Sequence, residues 1–235
     1  QSKLIDKFFI ATSNDTENKF LVKKAEEFKI NSFVGKENNV LSRFISISEK
    51  ENPSTIVRIC ADNPLISASE IDRIINKFLE SKPDYAFNHI PKMGNNYVDG
   101  VGAEVFSIET LNKLKNRVKR VEHYEHVTKF IWDNKSEFSI CTVNAPLELK
   151  YPNVRLDIDT NSDFLYVTGL IEKYSSWNFP EDINVSKVLK TIWKFIKLKK
   201  LVLGILPKDF SPKTHVVLGP WSFLEKQSLL MNNQV

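Results

Sequence analysis

Apolar positions along this chain switch repeatedly between a period of two and a period near 3.6, the signatures of strands and helices. Phe8-Phe9-Ile10-Ala11-Thr12-Ser13 predicts a strand with a polar end. Phe20, Leu21, Ala25 and Phe28 then recur at helical spacing, with Asn14 or Asp15 available as a cap. Ser32-Phe33-Val34-Gly35 predicts a second strand, and Val40, Leu41, Phe44 and Ile47 a second helix. The run Ile56-Val57-Arg58-Ile59-Cys60-Ala61 suits a buried, central strand of a parallel sheet. Asp62-Asn63-Pro64 stops it, because Pro64 lacks an N–H and pushes Asn63 toward extended geometry. From about Ser69 a helix turns Ile71, Ile74, Ile75, Phe78 and Leu79 inward, and residues 84–88 predict another strand. This alternation predicts an α/β protein, with a parallel or mixed sheet and helices on both faces. Asp62 then falls at the carboxyl end of a central strand, the edge where open α/β sheets bind ligands. A carboxylate there can hold a divalent cation against a phosphate.

Beyond Asn88 the rhythm changes. Residues 91–102 are rich in Gly and Asn and predict a loop; residues 104–107 predict a strand, followed by helical stretches from Ile108 and Val121. Residues 138–143 and 154–158 predict two more strands. Asp159-Thr160-Asn161-Ser162-Asp163 opens a helix to about Lys173, with Thr160 and Asp163 spaced as a near capping box. Residues 185–200 form an amphipathic, Lys-rich pattern that suits a packed terminal helix or linker, or a helix lying on a membrane surface. Residues 201–206 and 215–218 are strand-like. The expected division is a domain over 1–183, a basic helix or linker over 184–200, and the start of a second domain over 201–235.

Composition narrows the functional class. A net charge of +4 over 235 residues is too small to imply nucleic acid and is ordinary for an enzyme of phosphorylated substrates. Cys60 and Cys141 both lie in apolar runs and read as reduced core residues of a cytoplasmic protein. No apolar run is long enough to span a bilayer, and no signal peptide is visible. The chain opens with Gln1 and not Met, which reads as a fragment lacking its true start. Arg58 sits inside an apolar strand, where an unpaired charge is costly, so it needs a carboxylate or phosphate partner.

The motifs form an ordered set. They are Ala11-Thr12-Ser13; Gly35 with Val40-Leu41-Ser42-Arg43-Phe44; Val57-Arg58-Ile59-Cys60-Ala61-Asp62-Asn63-Pro64-Leu65-Ile66; Asp99-Gly100-Val101 with Glu104-Val105-Phe106-Ser107; Glu125-His126-Val127-Thr128; and Arg155-Leu156-Asp157-Ile158-Asp159-Thr160 with Asp163-Phe164. In this order the chain resembles, over about residues 1–175, the cytidylyltransferases of the spore-coat polysaccharide type, relatives of the CMP-sialic acid and CMP-KDO synthetases. The resemblance implies a Rossmann-like nucleotide-diphospho-sugar transferase fold with a mixed, mostly parallel sheet. It implies transfer of CMP from CTP to a sugar or sugar acid with Mg²⁺, releasing pyrophosphate, for surface polysaccharide synthesis, and a homodimer. Asp62 and Asp159 match the family's metal-binding acids. Ala11, Thr12 and Ser13 match the segment lining the base, and Arg43 an arginine near the nucleotide. Arg58, Asp62 and His126 are the catalytic candidates. Asn88, Tyr97, Asp99, Gly100, Glu104 and Glu125 are the substrate-side candidates. His126 reads equally as a core histidine, and His123 as a surface one.

Two departures shape the expectation. Family members often carry an acid where Gly102 or Ala103 stands. The family also begins with a strand and an Ala-Arg-x-Gly-Ser-x-Arg-Leu-Pro-Gly-Lys type loop, whose N–H groups and basic side chains hold the triphosphate. No such loop is present here, so this polypeptide alone is expected to be inactive or nearly so. Residues 214–222 faintly resemble the start of a transferase domain of surface-carbohydrate proteins, which would make the chain part of a fusion. Two competing readings remain: a sugar-nucleotide-dependent glycosyltransferase using Asp157-Ile158-Asp159 as an Asp-x-Asp motif, and a non-catalytic scaffold.

Overall fold

The computed structural model describes residues 2–16 and 18–174. The expected helix or linker at 184–200 and the second domain over 201–235 lie outside the described residues. Within them the chain divides into two compact units. Among the described residues the first comprises 2–58, 68–87 and 103–143, and the second 59–67, 88–102 and 144–174.

The first unit holds all six strands of the described residues. β1 (Phe9–Ser13) pairs in parallel with β2 (Asn31–Gly35) as a two-stranded sheet. A four-stranded sheet has the order β3-β5-β4-β6, built from β3 (Thr55–Arg58), β4 (Tyr85–Phe87), β5 (Glu104–Ser107) and β6 (Ile140–Thr142). β5 runs antiparallel to β3 and β4, while β4 and β6 are parallel. The architecture is therefore mixed α/β. β3 is not a central strand of a parallel ladder: it stands at one end of its sheet, pairs antiparallel with β5, and stops at Arg58. Ile59, Cys60 and Ala61 extend its apolar run without joining it, and Asn63 N–H closes a turn onto the Cys60 carbonyl.

Helices α1 (Lys19–Glu27) and α2 (Val40–Glu51) pack on β1 and β2, α2 also meeting α4 (Ile108–Arg117) and α5 (Val121–Glu125). α3 (Ala68–Ser81) covers β4, β5 and β6. Its Ile71, Ile74, Ile75 and Phe78 are buried as the 3.6 period requires, but Leu79 is 51% exposed. α1 departs further. Only Ala25 is buried, and Phe20, Leu21 and Phe28 stand exposed. Neither Asn14 nor Asp15 caps α1. Asn18 occupies that position, and Asp15 instead accepts the Ser13 hydroxyl at 2.7 Å. The core of the unit is aromatic. Tyr85 and Phe87, two apart on β4 and so on one face, stack at 5.8 Å, with Trp132 of α6 (Lys129–Asp133) edge-on to both.

The second unit is mostly loop, with its own core of Leu65, Tyr97, Val98, Val101, Leu149, Val154, Leu156 and Val167. Residues 154–158 do not form a strand. Only one parallel bridge, Asp99 to Arg155, forms there. The segment is laced to its neighbours by Asp99 N to Val154 O (3.1 Å), Leu156 N to Asp99 O (3.1 Å) and Ile158 N to Asp62 O (2.8 Å). α7 (Asn161–Tyr174) follows. Its start is the expected reciprocal cap: Asp163 N donates to Thr160 Oγ1 at 3.2 Å, and Thr160 N to Asp163 Oδ2 at 2.9 Å. No helix of the described residues is long and apolar enough to cross a membrane.

Candidate active site

Three loops of the second unit bring carboxylates together. Asp62 follows β3 in a turn and is exposed, its carbonyl fixed by the Ile158 N–H. Asp99 lies on the 88–102 loop, pinned on both sides by its bridge to Arg155. Asp157 and Asp159 alternate along the extended segment before α7. Arg155 joins the last two: Nε donates to Asp157 Oδ1 at 3.0 Å, and Nη2 contacts both Asp157 Oδ2 and Asp159 Oδ2. Asp157 is 13% and Asp159 54% exposed.

The electrostatics record this crowding. Asp99 is pushed up to about 7, first by burial, then by the Asp157 carboxylate and more weakly by Asp62; the Gly100 N–H and Arg155 oppose the rise. Arg155 is raised by the two aspartates it serves. Carboxylate oxygens of this kind suit a hard divalent cation such as Mg²⁺, which takes one or two carboxylates and leaves other positions to water and phosphate. Asp62 and Asp159 are the exposed members.

Two glycines set the close packing around Asp99. Gly100 has φ +93°, and a Cβ there would sit 2.8 Å from the Asp157 nitrogen. At Gly102 a Cβ would lie 2.3 Å from the Asn88 carbonyl oxygen. A side chain at 102 has no room while Asn88 stays where it is. Asn88 and Tyr97 have no exposed surface, so as folded here they back the loop and offer nothing to a solute.

The remaining candidates belong to the first unit, and most are engaged with protein. Glu104 is 2% exposed, paired with Arg58, and accepts the Tyr85 hydroxyl and the Thr128 hydroxyl, each at 2.6 Å. The carboxylate partner that Arg58 required is thus Glu104, directly opposite it in the β3–β5 register. Arg43 is neither solvated nor open to a ligand. Its Nε donates to Lys36 O at 2.9 Å, Nη2 to Glu37 O at 2.7 Å and Nη1 to Ala11 O at 3.3 Å. It ties β1 to the loop after β2, and burial lowers its pKa. Thr12 and Ser13 are buried; Ser13 Oγ donates to Asp15 and accepts from Asn18 at 2.6 Å. Glu125 and His126 are exposed at the end of α5, so His126 is not a core histidine.

His123 is the buried one, at 3% exposure, with its ring edge-on to Phe130 and Nε2 2.8 Å from Asp133 Oδ2. With Glu122 it forms, among the described residues, the only group of three side chains whose ligand atoms all lie within 4.8 Å. Both acids are already neutralised: Lys129 reaches the two Asp133 oxygens at 2.9 and 3.0 Å, and Arg120 pairs with Glu122. His123 and Lys129 hold Asp133 below the usual carboxylate range. The sequence placed His123 at the surface because no helical periodicity covers so short a turn.

Asp99, Asp157 and Arg155 are the members of the cluster whose joint role no motif showed. Their one local signal is the Asp157-Ile158-Asp159 alternation, which in extended chain puts both carboxylates on one side.

The first unit is a mixed α/β fold, and the loops of the second carry the aspartates that interact with one another. Residues 1–185 match the family model described as Cytidylyltransferase, and the chain belongs to that family. Among curated proteins it is 29% identical over 210 residues to an uncharacterized protein of Methanocaldococcus jannaschii, spanning 89% of this chain and 82% of that one. It is 28% identical over 170 residues to the spore coat polysaccharide biosynthesis protein SpsF of Bacillus subtilis, spanning 72% and 68%. The fold matches a solved cytidylyltransferase from Leptospira borgpetersenii with TM-score 0.73 at 21% identity, over 84% of this chain and 80% of that one. It also matches a CMP:2-keto-3-deoxy-manno-octonic acid synthetase solved with CTP, with TM-score 0.53 at 12% identity, over 74% and 83%.

Proposed function

We propose that this cytidylyltransferase uses CTP and Mg²⁺ to activate a sugar or sugar acid destined for surface polysaccharide. An acceptor hydroxyl oxygen bonds to the α-phosphorus, its proton passes to solvent, and pyrophosphate leaves with the broken bond. The observation that carries the reading is the Asp62–Asp99–Asp157–Asp159 cluster in the second unit, in a chain of this family. Asp62 and Asp159 would hold the cation. When bound it would neutralise charge building on the phosphate oxygens, the dominant need in such a transfer. Asp99, raised to about 7 by burial and by Asp157, backs this group, and Asp157 anchors Arg155. The named relatives supply the direction for the acceptor: one acts in spore coat polysaccharide biosynthesis, another is a synthetase of a CMP-linked keto sugar acid.

Calorimetric titration of CTP with Mg²⁺ into the chain tests this, repeated with Asp62→Ala and followed by pyrophosphate release against a panel of sugars and sugar acids. Metal-dependent binding lost in the variant supports the reading. The side-by-side Asp157 and Asp159 also fit a glycosyltransferase, and hydrolysis of a UDP-sugar in place of CTP use would favour that reading. Absence of both would leave a scaffold.

A further inference from the structure

The guanidinium of Arg155 sits between two carboxylates. It bridges Asp157 and Asp159, a bidentate grip on the first and a single contact on the second. Asp159 is the more exposed of the two, so the contact to it is the looser end of the arrangement. A planar fork matched to carboxylates is a preorganised competitor for the same oxygens. The backbone on which Arg155 stands is fixed by the bridge to Asp99, so the side chain and not the loop must yield when another cation arrives.

We propose that Arg155 is an internal counter-cation that holds Asp157 and Asp159 in the metal-free chain and competes with the divalent cation for Asp159. The inference rests on the metal-site reading given above. Its consequence is that a free cation binds the chain weakly. Entry favours a cation that arrives with its own polyanion, whose oxygens both complete the coordination and receive the displaced guanidinium. Arg155 is thus a positioning residue, acting through Asp159.

Binding of Mn²⁺ alone, followed by the loss of the free-ion electron spin resonance signal at low salt, tests the competition without any need for turnover. Arg155→Gln should bind Mn²⁺ about three- to ten-fold more tightly than the wild type, the range set by one partly exposed pair of contacts. Arg155→Lys, which keeps the charge but loses the fork, should fall between the wild type and Arg155→Gln. The gain should vanish in Arg155→Gln combined with Asp159→Asn. Unchanged or weaker Mn²⁺ binding in Arg155→Gln overturns the inference, as does a gain that survives the Asp159 substitution, or an absence of Mn²⁺ binding in wild type and variant alike. The functional reading fails separately, by an absence of CTP binding with Mg²⁺ in the wild type, whatever Arg155 does to Mn²⁺.

Discussion

Replacing Asp99 with Asn should make the fold less sensitive to pH, in a direction opposite to that of a salt-bridged carboxylate. Burial and the neighbouring Asp157 raise Asp99 from the ordinary 3.8 to about 7. Between those values the folded chain holds a proton that the unfolded chain has released. Stability therefore falls as pH rises across that window and is level on either side of it. A gap of about 3 pH units corresponds to about 4 kcal/mol at 1.36 kcal/mol each, an upper bound because solvent reaches part of the side chain. Asn keeps the shape and cannot ionise. In EDTA, Asp99→Asn should match the wild type near pH 4 and exceed it at pH 8 by up to about 4 kcal/mol, or about 8–15 °C in melting temperature. Urea unfolding at half-unit steps from pH 4 to 8, followed by circular dichroism, gives the difference curve. A difference that is flat with pH, or that grows toward acid, would refute the argument that the carboxylates crowd one another.

Three further substitutions probe neighbouring claims. Glu104→Gln, which removes the charge facing Arg58 and weakens two hydroxyl contacts, should cost about 3–5 kcal/mol of stability in urea; a change confined to substrate KM would show that Glu104 serves the substrate instead. Gly102→Ala should cost at least about 1–3 kcal/mol, since its Cβ would meet the Asn88 backbone, and wild-type melting would show that the loop simply shifts. Asp163→Ala, which breaks the reciprocal cap of α7, should cost about 1 kcal/mol, and no loss in thermal melts would show the cap to be idle.

Much of the secondary structure was legible because burial on one face leaves a period in the sequence. α3 follows such a period, with Ile71, Ile74, Ile75 and Phe78 buried, whereas β4 and β5, buried at consecutive residues, showed as short apolar runs. The same signal misled at residues 154–158: Val154 and Leu156 are buried alternately like a strand, yet their backbone partners are loops around Asp62 and Asp99 and not a ladder. It also misled at α1 and at Leu79, since periodicity states what a helix can bury but not whether anything covers it. Asp62 was reached from its place at a strand end as well as by resemblance, and Asp159 by resemblance. The cluster around them was not visible, because positions 62, 99 and 157 meet only through tertiary contacts that no local spacing encodes. For Arg58 the need for a partner was plain from its apolar setting, while the partner itself, Glu104, required the fold, as did the carbonyls that hold Arg43.

The grip on Glu104 bears on how the sheet is assembled. Its three partners come from β3, from β4 and from the turn between α5 and α6, at separations of 46, 19 and 24 residues. A carboxylate taken out of water is tolerated only when its donors are in place, so any intermediate that docks two of these segments without the third carries an exposed cost. Sliding β3 or β4 by one residue along β5 would turn Arg58 or Tyr85 to the other face and leave the charge stranded. The network thus ties the stability of the sheet to a single strand register.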